Sequence, residues 1–202
     1  MRTLGVLIFP EFESLDVFGP LEMFGMLPED FTIRLVAERE RHVASAQGPR
    51  SVADALFADG GRYDLLLVPG GRGTRREVGN AALLSWLREQ AAAASLVTSV
   101  CTGSALLAKA GLLDGVKATT NKMAFAWVQS QGARVLWQPQ ARWVEDGKFA
   151  TSSGVSAGID MSLAVIARLC GEERARQAAL WAEYEWHRDP SWDPFAKILG
   201  VV

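Results

Sequence analysis

The chain has 202 residues, of which 49% are apolar and 22% charged, with a formal net charge of −2. Those proportions belong to a globular chain long enough to bury its own core, and they exclude disordered and fibrous classes. Two cysteines, Cys101 and Cys170, cannot build a disulfide framework or a thiolate-rich metal site, and the charge balance offers no broad cationic footprint for nucleic acid.

By length the expectation is one domain spanning residues 1–202. Leu4 to Phe9 is a continuous apolar run that suits a central strand buried on both faces. It reaches Pro10 and Glu11 too early for a signal peptide. No apolar stretch approaches membrane-spanning length, so the expectation is a cytoplasmic protein with no membrane partner. Asp16 stands ahead of apolar residues at helical spacing (Val17, Phe18, Leu21, Met23, Phe24), with Pro20 expected in the first turn.

Phe31 to Val36 reads as a strand, and His42 to Phe57 as a short hairpin and a short helix. Tyr63 to Val68 is another buried strand, ended by Pro69-Gly70-Gly71-Arg72-Gly73. Asn80 caps a helix running to Ala94, and Ser95 to Val100 is a third core strand. Ala105 to Ala110 is helical and stops at Gly111. Val116 to Thr120 and Ala133 to Trp137 are strand-like, flanking a helix from Met123 to Gln131. Arg142 to Thr151 is a hairpin turning at Asp146-Gly147. Helices are expected over Ser156 to Leu169 and Glu172 to Trp186. The irregular tail Asp189 to Pro194 either wraps the domain or meets a partner subunit. Strands alternating with helices predict an α/β, doubly wound, mostly parallel sheet covered on both faces.

The segment Ser95 to Ser104 reads strand, then Cys101, then small residues, then helix, which is the context of a nucleophile elbow. The turn lifts the side chain out at the carboxyl edge of the sheet. The helix start offers unpaired N–H groups that favour a thiolate. A buried cysteine acting as a small hydrophobe is the alternative for Cys101, and it is the reading for Cys170. Ligands of doubly wound folds bind outside the carboxyl ends of the strands. That rule places the loops Pro10–Asp16, Pro69–Gly73 and Cys101–Gly103 around one crevice.

There Asp16 either carries protons for the sulfur or simply caps its helix. The Gly70 and Gly71 amides either hold an oxyanion or form a plain turn. Gly70-Gly71-Arg72-Gly73 lacks the spacing of a dinucleotide fingerprint, and no cofactor is expected. With only His42 and His187, a Cys–His hydrolase lacks an obvious base and a multi-histidine metal site is excluded by number. His187 is expected at a surface or interface.

Several segments together resemble the PfpI/ThiJ superfamily. They are Leu15-Asp16-Val17-Phe18-Gly19-Pro20-Leu21-Glu22, Val68-Pro69-Gly70-Gly71, Val100-Cys101-Thr102-Gly103-Ser104, Ala110 to Gly115 and Ser153 to Asp160. They follow one another in the superfamily's order, from about residue 3 to residue 190. They are most similar to the branch holding isocyanide hydratases and the ligand-sensing domains of AraC-type regulators, although 202 residues are not expected to accommodate a fused helix-turn-helix domain.

The resemblance implies a flavodoxin-like, class I glutamine amidotransferase-like three-layer sandwich and a homodimer. It implies Cys101 as the reactive cysteine, Asp16 as its carboxyl partner, and the backbone amides of Gly71 and Thr102 facing the site. Thr102 stands where protease-like members carry His, and Asn121 follows Ala118-Thr119-Thr120 where many relatives have His. Asn121 hydrogen-bonds but exchanges no proton near neutrality. The implied activity is addition of water to a small electrophile, foremost an isocyanide giving an N-formamide through a Cys101 thioimidate, with Val17, Phe18, Gly70 and Asn121 as pocket residues. Alternatives are glyoxalase- or deglycase-like and amidase activities, a redox or ligand sensor without turnover, and an interaction protein built on the tryptophan-rich tail.

Overall fold

The computed structural model describes residues Met1–Val202. In chain order the elements are β1 (Arg2–Leu7), α1 (Ser14–Gly25), β2 (Phe31–Ala37), β3 (His42–Ala44), β4 (Arg50–Val52), β5 (Ala55–Leu56), β6 (Leu65–Val68), α2 (Thr74–Glu77), α3 (Ala81–Ala93), β7 (Leu96–Ser99), α4 (Gly103–Lys109), β8 (Lys117–Ala118), α5 (Phe125–Gln129), β9 (Leu136–Trp137), β10 (Trp143–Asp146), β11 (Phe149–Ser152), α6 (Ala157–Cys170), α7 (Glu172–Trp181) and α8 (Pro194–Ile198).

One seven-stranded sheet, in the order β10-β11-β7-β6-β1-β2-β5, organises the chain. All its pairings are parallel except the β10–β11 hairpin. Every residue of β6 and β7 is buried; β6 accordingly reads as an unbroken apolar run, while β7 buries Thr98 and Ser99 beside Leu96 and Val97. Helices α1, α6 and α7 pack together, and α3 and α4 pack together with α2 and α5. The result is the flavodoxin-like three-layer α/β sandwich. From β1 the chain builds outward through β2 and β5, then returns to the other side of β1 as β6 and β7. That reversal opens a crevice at the carboxyl ends of the central strands.

Several expectations change in the structure. Pro20 lies in the second turn of α1, because the helix begins at Ser14 rather than at Asp16. The helix expected over Met123–Gln131 shrinks to α5, since Asn121 and Lys122 are held in a loop by side-chain hydrogen bonds. The strand-like segments at 116–120 and 133–137 stay outside the main sheet as the small parallel pair β8–β9. Instead of a regular helix, the segment after β5 forms a single 3₁₀ turn, Phe57–Asp59.

The last long helix ends at Trp181, not Trp186. Beyond it Glu183 takes φ +48°. Asp160, fully buried at the start of α6, accepts the Tyr184 hydroxyl (3.1 Å) and the His187 backbone N–H (2.9 Å), drawing the chain off the helix axis. The same carboxylate pairs with Arg142 through Nε (2.8 Å) and Nη2 (2.6 Å). The tail then wraps the domain: Pro190 O accepts the Arg142 N–H and Gln140 O accepts the Asp193 N–H, each at 2.8 Å. Cys170 is half-buried rather than buried, because it sits at the last turn of α6 beside the half-buried side chain of Arg2.

Candidate active site

Cys101 lies between β7 and α4, one residue (Val100) past the end of the strand. It adopts φ +56°, a left-handed conformation that a non-glycine residue rarely takes and that costs about 1–3 kcal/mol unless its surroundings hold it. Three contacts do so. The Cys101 N–H donates to Ser153 O (3.2 Å), the Thr120 hydroxyl donates to Cys101 O (2.8 Å), and the Ser104 hydroxyl donates to the same carbonyl (3.3 Å). Gly103 passes so close to β6 that a Cβ there would stand 2.2 Å from Val68 O. The turn is therefore tight because the residue after Thr102 has no side chain.

The loops after β1, β6 and β7 meet as the topology requires. The Gly70 N–H donates to Asp16 Oδ2 at 2.8 Å, the Gly71 N–H donates to Thr102 Oγ1 at 3.1 Å, and the Glu13 N–H donates to Gly70 O at 2.9 Å. Asp16 is wholly buried. It caps nothing: the residue before α1 is Glu13, and Asp16 turns inward toward the Gly70 amide. Its second oxygen, Oδ1, is buried without a hydrogen-bond partner.

The Gly71 amide, expected to face the site, donates to the Thr102 hydroxyl, and Gly71 at φ +121° runs so close to the loop after β1 that a Cβ there would stand 2.4 Å from Glu11 O. Val17 is buried in the core, whereas Phe18 is exposed and approaches the Phe12 ring at 6.5 Å. Asn121 is brought beside the sulfur from a loop 20 residues further on: a Cβ built on Gly154 would lie 2.1 Å from Asn121 Nδ2 and 3.1 Å from Cys101 Sγ. Sequence reasoning missed Gly154, whose one signal was its place in the run Ser153-Gly154-Val155.

The electrostatics are those of a nearly dry pair. Burial pushes the Asp16 carboxyl well above the usual carboxylate range, against the pull of the Gly70 amide; Glu13 adds to the rise and the Cys101 side chain reduces it. Burial, followed by the Asp16 charge, also pushes the Cys101 thiol well up, while the Thr102 N–H and the Asn121 side chain pull it down. The expectation that the helix start alone yields a low-pKa thiolate is therefore corrected. α4 has only seven residues, and desolvation outweighs its amides. Burial disfavours the charged form of both groups, and the Asp16 charge further opposes that of the sulfur, so the two ionisations are coupled. Such an arrangement can offer a nucleophile and a proton to the same atom.

The constellation defines a flavodoxin-like α/β protein with a cysteine at a strained strand-to-helix turn and a buried carboxyl from the first turn of α1. The chain belongs to the DJ-1/PfpI family, whose model matches residues 2–168. It is 36% identical to isonitrile hydratase from Pseudomonas putida over 181 residues, 90% of this chain and 78% of that protein. It is 30% identical to the HTH-type transcriptional regulator GbdR from Pseudomonas aeruginosa, covering 99% of this chain but only 56% of the regulator. Among solved structures, a ThiJ/PfpI family protein from Pseudomonas syringae superposes with a TM-score of 0.84 at 33% identity, over 91% of this chain and 75% of that one. No helix is long and apolar enough to cross a membrane.

Proposed function

We propose that the chain is a cysteine-dependent hydratase that converts an isocyanide to an N-formamide. The observation that carries this reading is the buried Asp16 carboxyl, anchored by Gly70 and with Oδ1 unpartnered, paired with Cys101. An acid held neutral by burial can protonate a carbon as sulfur attacks it. Similarity to isonitrile hydratase from Pseudomonas putida supports the choice of substrate.

In the proposed sequence the Cys101 thiolate adds to the terminal carbon of R–N≡C, forming the C–S bond. Asp16 delivers its proton to that carbon, giving the thioimidate R–N=CH–S. The Asp16 carboxylate then takes a proton from water as the water oxygen bonds to the same carbon, and passes that proton to nitrogen. Collapse of R–NH–CH(OH)–S breaks the C–S bond and returns the hydroxyl proton to Asp16. R–NH–CHO leaves and the thiolate is restored. The Thr102 N–H, which favours the ionised sulfur, supports its negative charge at both ends of the cycle.

Purified protein and an alkyl isocyanide, followed by proton NMR, should give the formamide at a rate proportional to enzyme. Cys101→Ala should abolish it, and formamide formation at an undiminished rate in that variant would overturn the proposal. A second reading, a ligand sensor, draws on the similarity to GbdR. It requires saturable binding of a small molecule with no product formed.

A further inference from the structure

Cys101 has a third polar neighbour besides Thr102 and Asp16, and its orientation is fixed by the backbone. Asn121 Oδ1 accepts the Ala124 N–H at 3.0 Å. That bond decides which end of the carboxamide is oxygen and leaves Nδ2 as the end beside the sulfur. The loop bearing Asn121 is clamped on both sides. Thr120 bonds the Cys101 carbonyl, and the Lys122 ammonium bonds Ala141 O (2.6 Å) and Thr119 Oγ1 (2.7 Å). The carboxamide therefore meets the sulfur as part of a held loop rather than as a mobile arm. Room for it exists only because Gly154 has no side chain. Gly154 does not take the left-handed backbone that favours glycine, so the space, not the conformation, is what glycine supplies there.

We propose that Asn121 is a catalytic group of the Cys101 site, a non-titrating hydrogen-bond donor to the sulfur, and that Gly154 is a positioning residue that acts through it. The proposal rests on Cys101 being the reactive nucleophile. A carboxamide N–H gives charge-assisted support to a thiolate, as an imidazolium would, but neither gains nor loses a proton across the working pH range. The ionisable groups acting on the sulfur are then Asp16 and, more weakly, Glu13, so the site's pH response belongs to the Cys101–Asp16 pair. In the proposed cycle the same donor steadies sulfur when it leaves the tetrahedral intermediate, the step at which negative charge returns to it.

The test reads the sulfur directly and needs no turnover. Iodoacetamide labelling of the Cys101 peptide is followed by mass spectrometry from pH 6 to 10 in the wild type, Asn121→Ala, Gly154→Ala and the double variant, with thermal melts confirming that each is folded. Losing a hydrogen bond to a charged atom should slow labelling at neutral pH by about tenfold or more in Asn121→Ala and move its rise to higher pH. Gly154→Ala, with Asn121 intact, should shift in the same direction, because its methyl displaces the carboxamide. The double variant should be no slower than Asn121→Ala alone, since both substitutions remove one interaction.

Unchanged labelling in Asn121→Ala, or additive effects in the double variant, would overturn the proposal while leaving Cys101 reactive. No formamide from the wild type, or formamide at an undiminished rate in Cys101→Ala, would instead overturn the reading on which it rests. Should Asn121→Ala not fold, Gly154→Ala decides alone: labelling as fast as the wild type refutes the proposal.

Discussion

Asp16→Asn separates what the buried acid does for chemistry from what it costs the fold. In the unfolded chain Asp16 ionises near pH 4 at little cost. In the folded chain its acidity is shifted well up by burial. A carboxyl raised on folding contributes its stability at low pH and loses it as pH climbs from the unfolded toward the folded value, because the native state then binds more protons than the unfolded state. At pH 8 the unfolded carboxyl has lost its proton while burial still opposes ionisation in the native state, where one Asp16 oxygen stands unpartnered.

Asparagine has the same shape, keeps an acceptor for the Gly70 N–H, and places a neutral donor toward the sulfur. Relief of a buried unsatisfied polar group is worth about 1–3 kcal/mol. For a chain of this length that is a rise in Tm of about 2–12 °C at pH 8, at about 2–4 °C per kcal/mol. Formamide production should fall by about 10²–10⁴-fold, the usual worth of a positioned acid–base group. Differential scanning fluorimetry from pH 4 to 8 reads the first effect and NMR product assays the second. The gain in Tm should shrink as pH falls toward 4, where the unfolded carboxyl begins to take up the proton that the folded one already holds. A variant less stable than the wild type at pH 8, or a difference that does not change with pH, would refute this account of the pair.

Two further outcomes follow from groups outside the crevice. Asp160→Ala strands the buried Arg142 guanidinium and frees Tyr184 and His187. Breaking such a pair costs about 3–5 kcal/mol, a fall in Tm of about 6–20 °C at the same scaling, and limited proteolysis should cut first between Ala182 and Pro190. Lys122 is held down to about 8 by burial, against the pull of Asp193. The unfolded chain keeps that proton to about pH 10.4, so the wild type should gain stability relative to Lys122→Met between pH 8 and 10. Tyr184, pushed up to about 12, retains its contribution below pH 10 and does not oppose the effect. A constant difference between the two melting curves across that interval would contradict the assignment.

The central strands were legible where burial on both faces writes itself as a continuous apolar run, as in Leu65 to Val68, which needs no partner to be recognised. The Asp146-Gly147 turn was equally local, with Gly147 at φ +58°, and so was Asn80, whose Oδ1 takes the Ala82 and Leu83 amides. The strand-to-loop rule brought Asp16, Gly70 and Cys101 into one crevice before any coordinates. What stayed hidden depends on distance across the fold. Nothing near Asp16 in the chain announces that its oxygen meets the Gly70 amide rather than its own helix start. The end of the last long helix at Trp181 is set by Asp160, and the approach of Asn121 to the sulfur by a missing side chain at Gly154. Burial likewise decides the ionisation of Cys101, since solvent exclusion is a property of the packed molecule and outweighs the local amides that the sequence displays.

The most direct measurement is a rapid quench of the wild-type protein with an alkyl isocyanide, followed by mass spectrometry of the Cys101 peptide. The account expects a transient increment equal to the mass of the isocyanide on that cysteine. It should rise before the formamide appears, disappear as substrate is consumed, and be absent in Cys101→Ser. Formamide accumulating with no adduct on Cys101, or at the wild-type rate in Cys101→Ser, would contradict it.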